Sequence, residues 1–314
     1  MATILQLGTA AMGGYLSPTM LMPGFQKALV GMQRFRQFAE VITDFSARSG
    51  NKVTINRVSK FASAGGAVAE TSTMPYGTAT IAQGTLSIGE YGQAVDYSQV
   101  LELAAQGASP EEISRALLAI DASKAIENAA ETALAAGLYV YVGTATGGGA
   151  LTVDGTATAT NTSALNLYHL RQIRDVLKGT IKAHKFDGQN YMGVLTYTAM
   201  ANIEAESTIE SWRMYADPAS LLAGEVGRVA GFRLIEDTEC DGFDSTIGSG
   251  SPSGEGYFFG VDAEGKGPLF EAIVQPEQIR YQEDDFQRSK GIAWYYVGGF
   301  LANPTTVSVK WASA

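Results

Sequence analysis

Residues 260–267 read Gly-Val-Asp-Ala-Glu-Gly-Lys-Gly, one residue short of the loop that cradles phosphate at the start of a helix. That loop needs Ser or Thr after its lysine to hold Mg²⁺, and a helix after that. Here Gly267 and Pro268 follow, then the strand-forming pair Leu269-Phe270, so the segment reads as a tight hairpin turn. Asp237, Glu239, Asp241 and Gly242 imitate the opening of a calcium loop. The bidentate acid of such a loop belongs at its twelfth position, where Gly248 stands. Asn161-Thr162-Ser163 matches a glycosylation sequon but reads as a helix start. The two histidines, His169 and His184, both fall on the second long helix of the pattern and offer little material for nucleophilic catalysis. Cys240 is the single cysteine, which rules out an intrachain disulfide and a thiolate zinc cage. No catalytic residue, metal or cofactor is expected, and the chain does not read as an enzyme.

One charge pattern is less ordinary. Arg171, Arg174, Lys178, Lys182 and Lys185 recur at helical spacing on a chain whose formal net charge is −10. Either the stripe is a solvated face, or it meets an acidic neighbour in an assembly, or it touches nucleic acid. The acidic balance argues against a dedicated nucleic-acid reader, whose affinity comes from clustered cations. Charged residues make up only 17% and glycine 36 of 314 residues, which suits surfaces covered by other subunits. Met1–Gly24 has no Lys or Arg, so it lacks a signal peptide's charged start, and no run approaches a membrane span.

The elements that position these residues segregate into helices and strands without regular alternation, which gives an α+β class. A helical piece is expected from about Phe25 to Phe38, and strands around Val53–Ile55 and from Leu86 to Tyr97. Between those strands, Ser59–Gln83 is rich in Ala, Gly, Ser and Thr and has few large apolar side chains. A segment with so little to bury cannot anchor itself to a core, so it is either a floppy insertion or an arm held by a neighbour. Ser109-Pro110-Glu111-Glu112 is a helix start with a capping box, and Ile113, Leu117, Ile120, Ile126, Ala130 and Leu134 carry the helix to Gly137. Short strands follow near Tyr139–Val142 and Leu151–Val153, then a helix over Ser163–Ala183 with Leu170, Ile173, Leu177 and Ile181 on one face. Asp217-Pro218 caps a further short helix. The last sixty or so residues are mostly strand, with Gly291–Leu301 the most apolar.

Four places in this order carry a resemblance to a known family: Gly50–Ile55, Ala69–Pro75, Ala219–Glu236 with its Gly224-Glu225-Val226-Gly227 turn, and Asp285-Phe286-Gln287-Arg288 leading to Gly291–Tyr296. Together they resemble the major capsid (coat) proteins of tailed bacteriophages, of the Hong Kong 97-type fold and a podophage-like branch. The resemblance implies an N-terminal arm over 1–45 and an extended hairpin loop over 46–100. It further implies a peripheral domain with a long spine helix over 101–162, an axial domain over 163–260, and C-terminal strands over 261–314 that return to the peripheral domain.

The function implied is self-assembly into an icosahedral virion shell around double-stranded DNA, with subunits made in the host cytoplasm. Pentamers and hexamers of the chain itself, a portal, and non-specific contact with DNA are implied as partners, and no membrane. The folded pattern begins near Met1, so a separate scaffolding protein is expected. The expected subunit-interface residues are Lys60, Phe61, Glu70, Met74, Pro75 and Tyr76 on the loop, and Arg171, Arg174, Lys178 and Lys182 on the stripe. The alternative is an encapsulin-like shell around a cargo enzyme.

Overall fold

The computed structural model describes residues 34–42, 52–58, 65–70, 72–74, 76–78, 81–104, 109–157, 159, 161–206, 228–238, 254–284, 286, 288–304 and 306–312. Within them lie three sheets and four α-helices, an α+β arrangement.

A two-stranded sheet pairs β2 (Lys52–Val58) with β3 (Ile81–Ser87) antiparallel, from Lys52 opposite Ser87 to Val58 opposite Ile81. A four-stranded sheet runs β1 (Ala39–Ile42), β11 (Leu269–Asp284), β12 (Ser289–Ala302), β4 (Gly89–Ser98). The third has seven strands: β6 (Gly148–Thr152), β5 (Val140–Ala145), β13 (Ser308–Trp311), β10 (Gly256–Phe259), β7 (Tyr191–Thr196), β9 (Phe232–Asp237), β8 (Arg228–Val229). The helices are α1 (Gln99–Ala104), α2 (Pro110–Ala135), α3 (Leu167–Asp175) and α4 (Tyr197–Glu204).

Strand periodicity explains how the seven-stranded sheet buries both faces. Tyr257 and Phe259 point one way along β10 and Phe258 points the other, because successive side chains alternate. One face packs on α3 and α4 through Leu170, Ile173, Leu177, Met200 and Ile203. The opposite face packs on the end of α2 through Ala130 and Leu134, with Phe35 and Phe38 beside them.

Helix α2 joins this core to the next. Upstream of Ala130 it packs Leu118 and Ile126 against Ile292, Trp294 and Tyr296 of β12. With 26 residues at about 1.5 Å each, it is a rod of roughly 40 Å. Among its buried positions, Ser114, Leu118, Ile126, Ala130 and Leu134 form a row at multiples of four residues, with Ile113, Glu127 and Glu131 beside it. At about 3.6 residues per turn such a row drifts round the axis by roughly 40° per step, so it winds from one core to the other. The expectation of a single face through Leu117 is corrected: Leu117 is 40% exposed and Leu118 only 2%. Ser109 does cap the helix, its Oγ accepting from the Glu111 amide at 3.3 Å.

Two buried acids of these elements fix the entering chain. Glu127 accepts from the backbone amides of Arg34 and Phe35 at 2.5 Å each and of Arg36 at 3.3 Å. Glu271 of β11 accepts from the Arg36 guanidinium (2.8 Å from Nη2 to Oε1) and from the Tyr296 hydroxyl at 2.9 Å. Residues 36–38 form a 3₁₀ turn and the strand β1 starts at Ala39, so the expected helix over 25–38 does not extend through its described end. The rest of that expectation lies outside the described residues, as does the helix at Asp217-Pro218.

The second expected helix also starts later, at Leu167, with Asn166 as its cap. It passes into a π-helical turn over Val176–Ile181 and ends at Lys182 in the left-handed conformation (φ 58°). The C-terminal residues are mostly strand as expected, with Leu269–Asp284 forming the single strand β11. Register shifts between Ile273 and Gln278 accommodate Pro276, which cannot donate to a ladder.

Leu118→Ala should cost about 2–5 kcal/mol, as large-to-small core changes do, while Leu117→Ala should stay within about 0.5 kcal/mol. Chemical denaturation of the two variants checks this, and equal losses would contradict the winding row.

Candidate assembly surfaces

The residues that looked chemical in sequence take structural places. His169 is fully buried, with Nε2 3.1 Å from the Ser163 hydroxyl and Nδ1 3.3 Å from the Tyr141 hydroxyl. Its ring lies against Trp311, with centroids 5.1 Å apart. Burial lowers the His169 pKa and pushes the Tyr141 phenol up to about 12. His184 is not on the helix; it bridges to Val261 by backbone hydrogen bonds.

The phosphate-loop look-alike is a turn between β10 and β11, tied by Asp262 Oδ1, which accepts from the amides of Glu264 (2.8 Å) and Lys266 (2.9 Å). Gly265 takes φ +79° there, and Lys266 pairs with Glu40 of β1. Asp237 is buried at the end of β9, while Glu239, Cys240, Asp241 and Gly242 lie outside the described residues. Among the described residues no cluster of three His, Cys, Asp or Glu is placed to hold a metal.

The expected interface residues fall into two groups. On the loop between β2 and β3, Glu70 is exposed, Met74 is 66% exposed and Tyr76 is 93% exposed. Lys60, Phe61 and Pro75 lie outside the described residues. Every described residue from Gly65 to Thr78 is exposed, and none is in a helix or strand. The root of this loop is anchored. Leu86 is fully buried, and a Cβ on Gly299 of β12 would come within 2.3 Å of the Ser87 carbonyl. Only glycine permits that approach.

On the stripe, Arg171, Lys178 and Lys182 are exposed and Arg174 is half-buried. Arg174 is engaged, its guanidinium reaching Asp175 Oδ1 at 3.0 Å and the Ala230 carbonyl at 3.4 Å. Arg174, Lys178 and Lys185 rim a cavity of about 410 Å³ whose floor includes Tyr191 and Gly231. Arg171 and Lys182 do not line it.

Sequence reasoning missed a third group. Val100 and Leu103 of α1 are 70% and 80% exposed, and Phe286, in the turn between β11 and β12, is 99% exposed. The Gln99 amide donates to the Arg288 carbonyl at 2.9 Å, so α1 starts on that same turn. The signal available was Phe286 itself, a large aromatic between polar neighbours in a turn. A further trough of about 670 Å³ lies over the sheet face that α2 does not cover, with Gly92, Ala94, Gly291 and Ala293 as its floor.

No family model matches the sequence, and no curated protein matches it. Solved structures do. The chain superposes on the capsid asymmetric unit of cyanophage Pam1 with a TM-score of 0.69 at 12% identity, covering 100% of both chains. It superposes on the capsid of Ralstonia phage GP4 with a TM-score of 0.66 at 10% identity, covering 100% of this chain and 99% of that one. For the head of Helicobacter pylori bacteriophage KHP40 the values are 0.64 and 12%, covering 98% and 99%. The chain has the Hong Kong 97-type capsid fold. The four most exposed large apolar side chains, Tyr76, Val100, Leu103 and Phe286, lie on the β2–β3 loop, on α1 and at the β11–β12 turn.

A histidine held neutral by burial has a pKa below its unfolded value of about 6.5, so the unfolded chain takes up the proton first. Wild-type stability should therefore fall as pH drops below about 6.5, by up to about 1.4 kcal/mol per pH unit, and level off below the folded pKa. His169→Gln should flatten this part of the pH profile in thermal melts; an unchanged slope would remove His169 as its source.

Proposed function

We propose that the chain is a major capsid protein, a structural subunit that self-associates into the icosahedral head of a tailed phage around double-stranded DNA. The observation that carries this reading is the end-to-end superposition on phage capsids, covering 100% of both chains in the cyanophage case. In this reading the chain performs no catalysis, and its work is done by surfaces.

The four-stranded sheet with α2 serves as the peripheral body, and the seven-stranded sheet with α3 and α4 as the axial body. The β2–β3 hairpin is the extended loop, and it lies on an adjacent copy. The exposure of Met74, Tyr76, Val58 and Ile81 supports this, since large apolar side chains set together on a surface mark contact sites. The small-residue trough over the four-stranded sheet has room to receive such an arm. Closed shells result from pentamers and hexamers of the chain, each contact in a size class of about 1,600 Å² and strengthened by repetition. A separate scaffolding protein and a portal complete the assembly in the host cytoplasm. The net charge of −10 suits a wall that does not bind packaged DNA tightly.

Replacing residues 60–80 with a four-residue Gly-Ser turn tests the reading. The root strands keep their partners, so the circular dichroism spectrum and melting temperature of the free subunit should stay near wild type. Sedimentation should show the loss of fast particles that wild type forms. Wild-type particle yield from the variant would contradict the role of the arm.

A further inference from the structure

The four-stranded sheet ends in a strand edge that nothing guards. Such an edge presents unpaired amides and carbonyls, and proteins block it with proline, bulges, cationic side chains or short length. The other edges of the two larger sheets are blocked in these ways. β1 has four residues, and beyond its pairing with β1 the strand β11 carries Pro276 and register shifts between Ile273 and Gln278. In the seven-stranded sheet β8 has two residues, and β6 has five, with an irregularity in its pairing between Gly143 and Ala145. β4 has none of these features. Its ten residues pair with β12 without a break, from Gly89 opposite Gly298 to Ser98 opposite Ser289. No described strand lies on its other side. It holds no proline, lysine or arginine, and Gly92, Gln93 and Ala94 at its middle are exposed.

The β2–β3 sheet has the complementary lack. Two strands alone are marginal in water, and a third strand is what such a pair needs. β2 is seven residues long, pairs only with β3 among the described strands and contains Val, Thr and Ile, which suit a ladder. Pairing of β4 with itself about Gln93 would set Glu90 opposite Asp96, and opposed like charges are destabilising. β2 carries no acid. Its exposed Lys52 has no ion-pair partner among the described residues, and neither has Asp96. We propose that β2 of one copy adds to the β4 edge of a second copy, antiparallel, with Lys52 opposite Asp96. This deepens the shell-subunit reading and rests on it. The register sets Thr54 opposite Ala94 and Asn56 opposite Gly92, on the face of the small-residue trough. It sets Val53 opposite Val95, on the face that α2 covers. In the free chain Lys52, Thr54 and Asn56 are exposed while Val53 and Ile55 are half-buried, which is the same division of faces. Main-chain hydrogen bonds supply affinity, and the alternating side chains supply register. The two strands are different patches of one chain, so the contact is head-to-tail and repeats from copy to copy.

Cysteine pairs in a Cys240→Ser background read the register inside assembled particles. Thr54→Cys with Ala94→Cys brings two thiols opposite each other, and diamide should link the subunits into a ladder of covalent multimers on a non-reducing gel. Thr54→Cys with Glu90→Cys is out of register by about 14 Å and should give no ladder. Charge exchange reads the same joint as the subunit concentration that gives half-maximal particle yield. Lys52→Glu and Asp96→Lys should each raise it by roughly fivefold, the size of one opposed like-charge pair, with the melting temperature of the free subunit unchanged for the exposed Lys52. The two together should return it to within about twofold of wild type. Particles of the in-register pair without a ladder, or equal ladders from both pairs, overturn the proposal. So do wild-type yields from the single charge variants, or reversal without rescue. In each of these results wild-type particles still form and the shell-subunit reading stands; failure of wild type itself to assemble would overturn both.

Discussion

A helix that must be buried against one body at its start and another at its end cannot carry one straight apolar stripe. Helix α2 solves this with a row at multiples of four residues, Leu118, Ile126, Ala130, Leu134, that turns as it advances. Leu118 and Ile126 belong to the core with Trp294 and Tyr296, and Ala130 and Leu134 to the core with Phe35 and Tyr257. The two sheets are thereby fixed to one rod. The same helix supplies Glu127 and Glu131, nearly fully buried between the cores. Burial raises the pKa of both carboxyls, while three backbone amides pull Glu127 the other way and the Tyr257 hydroxyl does so for Glu131. Removing one partner from such a buried arrangement is costly, because the remaining groups lose water as well as the bond.

These features explain what was legible in the sequence. The caps and turns were, because Ser109-Pro110 and the Asp262–Lys266 turn act through neighbours in the chain. The strands around 53–55 and 86–97 were, because period-two alternation marks a half-buried sheet, whereas the start of β3 at Ile81, inside the segment with little to bury, was not. The burial of Leu118 in place of Leu117 was not, since a row that serves two cores has no single helical period to detect. Nor was the start of α3 at Leu167. Asn161-Thr162-Ser163 read as the helix start, yet the Ser163 hydroxyl lies 3.1 Å from His169 Nε2, and Asn166 accepts from the His169 amide at 3.0 Å.

The candidate surfaces divide in the same way. The β2–β3 loop was visible as a segment with little to bury, and the basic stripe as a spacing of cations. Phe286 was passed over because its meaning lies in exposure, a property of the folded chain. The stripe also changed shape on folding. The π-helical turn and left-handed Lys182 end the helix, so Lys185 joins Arg174 and Lys178 at the cavity and Lys182 does not. Loop, helix α1, turn and basic cavity leave apolar or charged groups exposed among the described residues, which the proposed assembly of many copies would cover.

Electron microscopy of the purified wild-type protein, alone and with the proposed scaffolding protein, tests that account most directly. The account predicts closed particles of uniform diameter whose walls resolve into five-fold and six-fold clusters of subunits. A population of monomers or dimers under every assembly condition would contradict it.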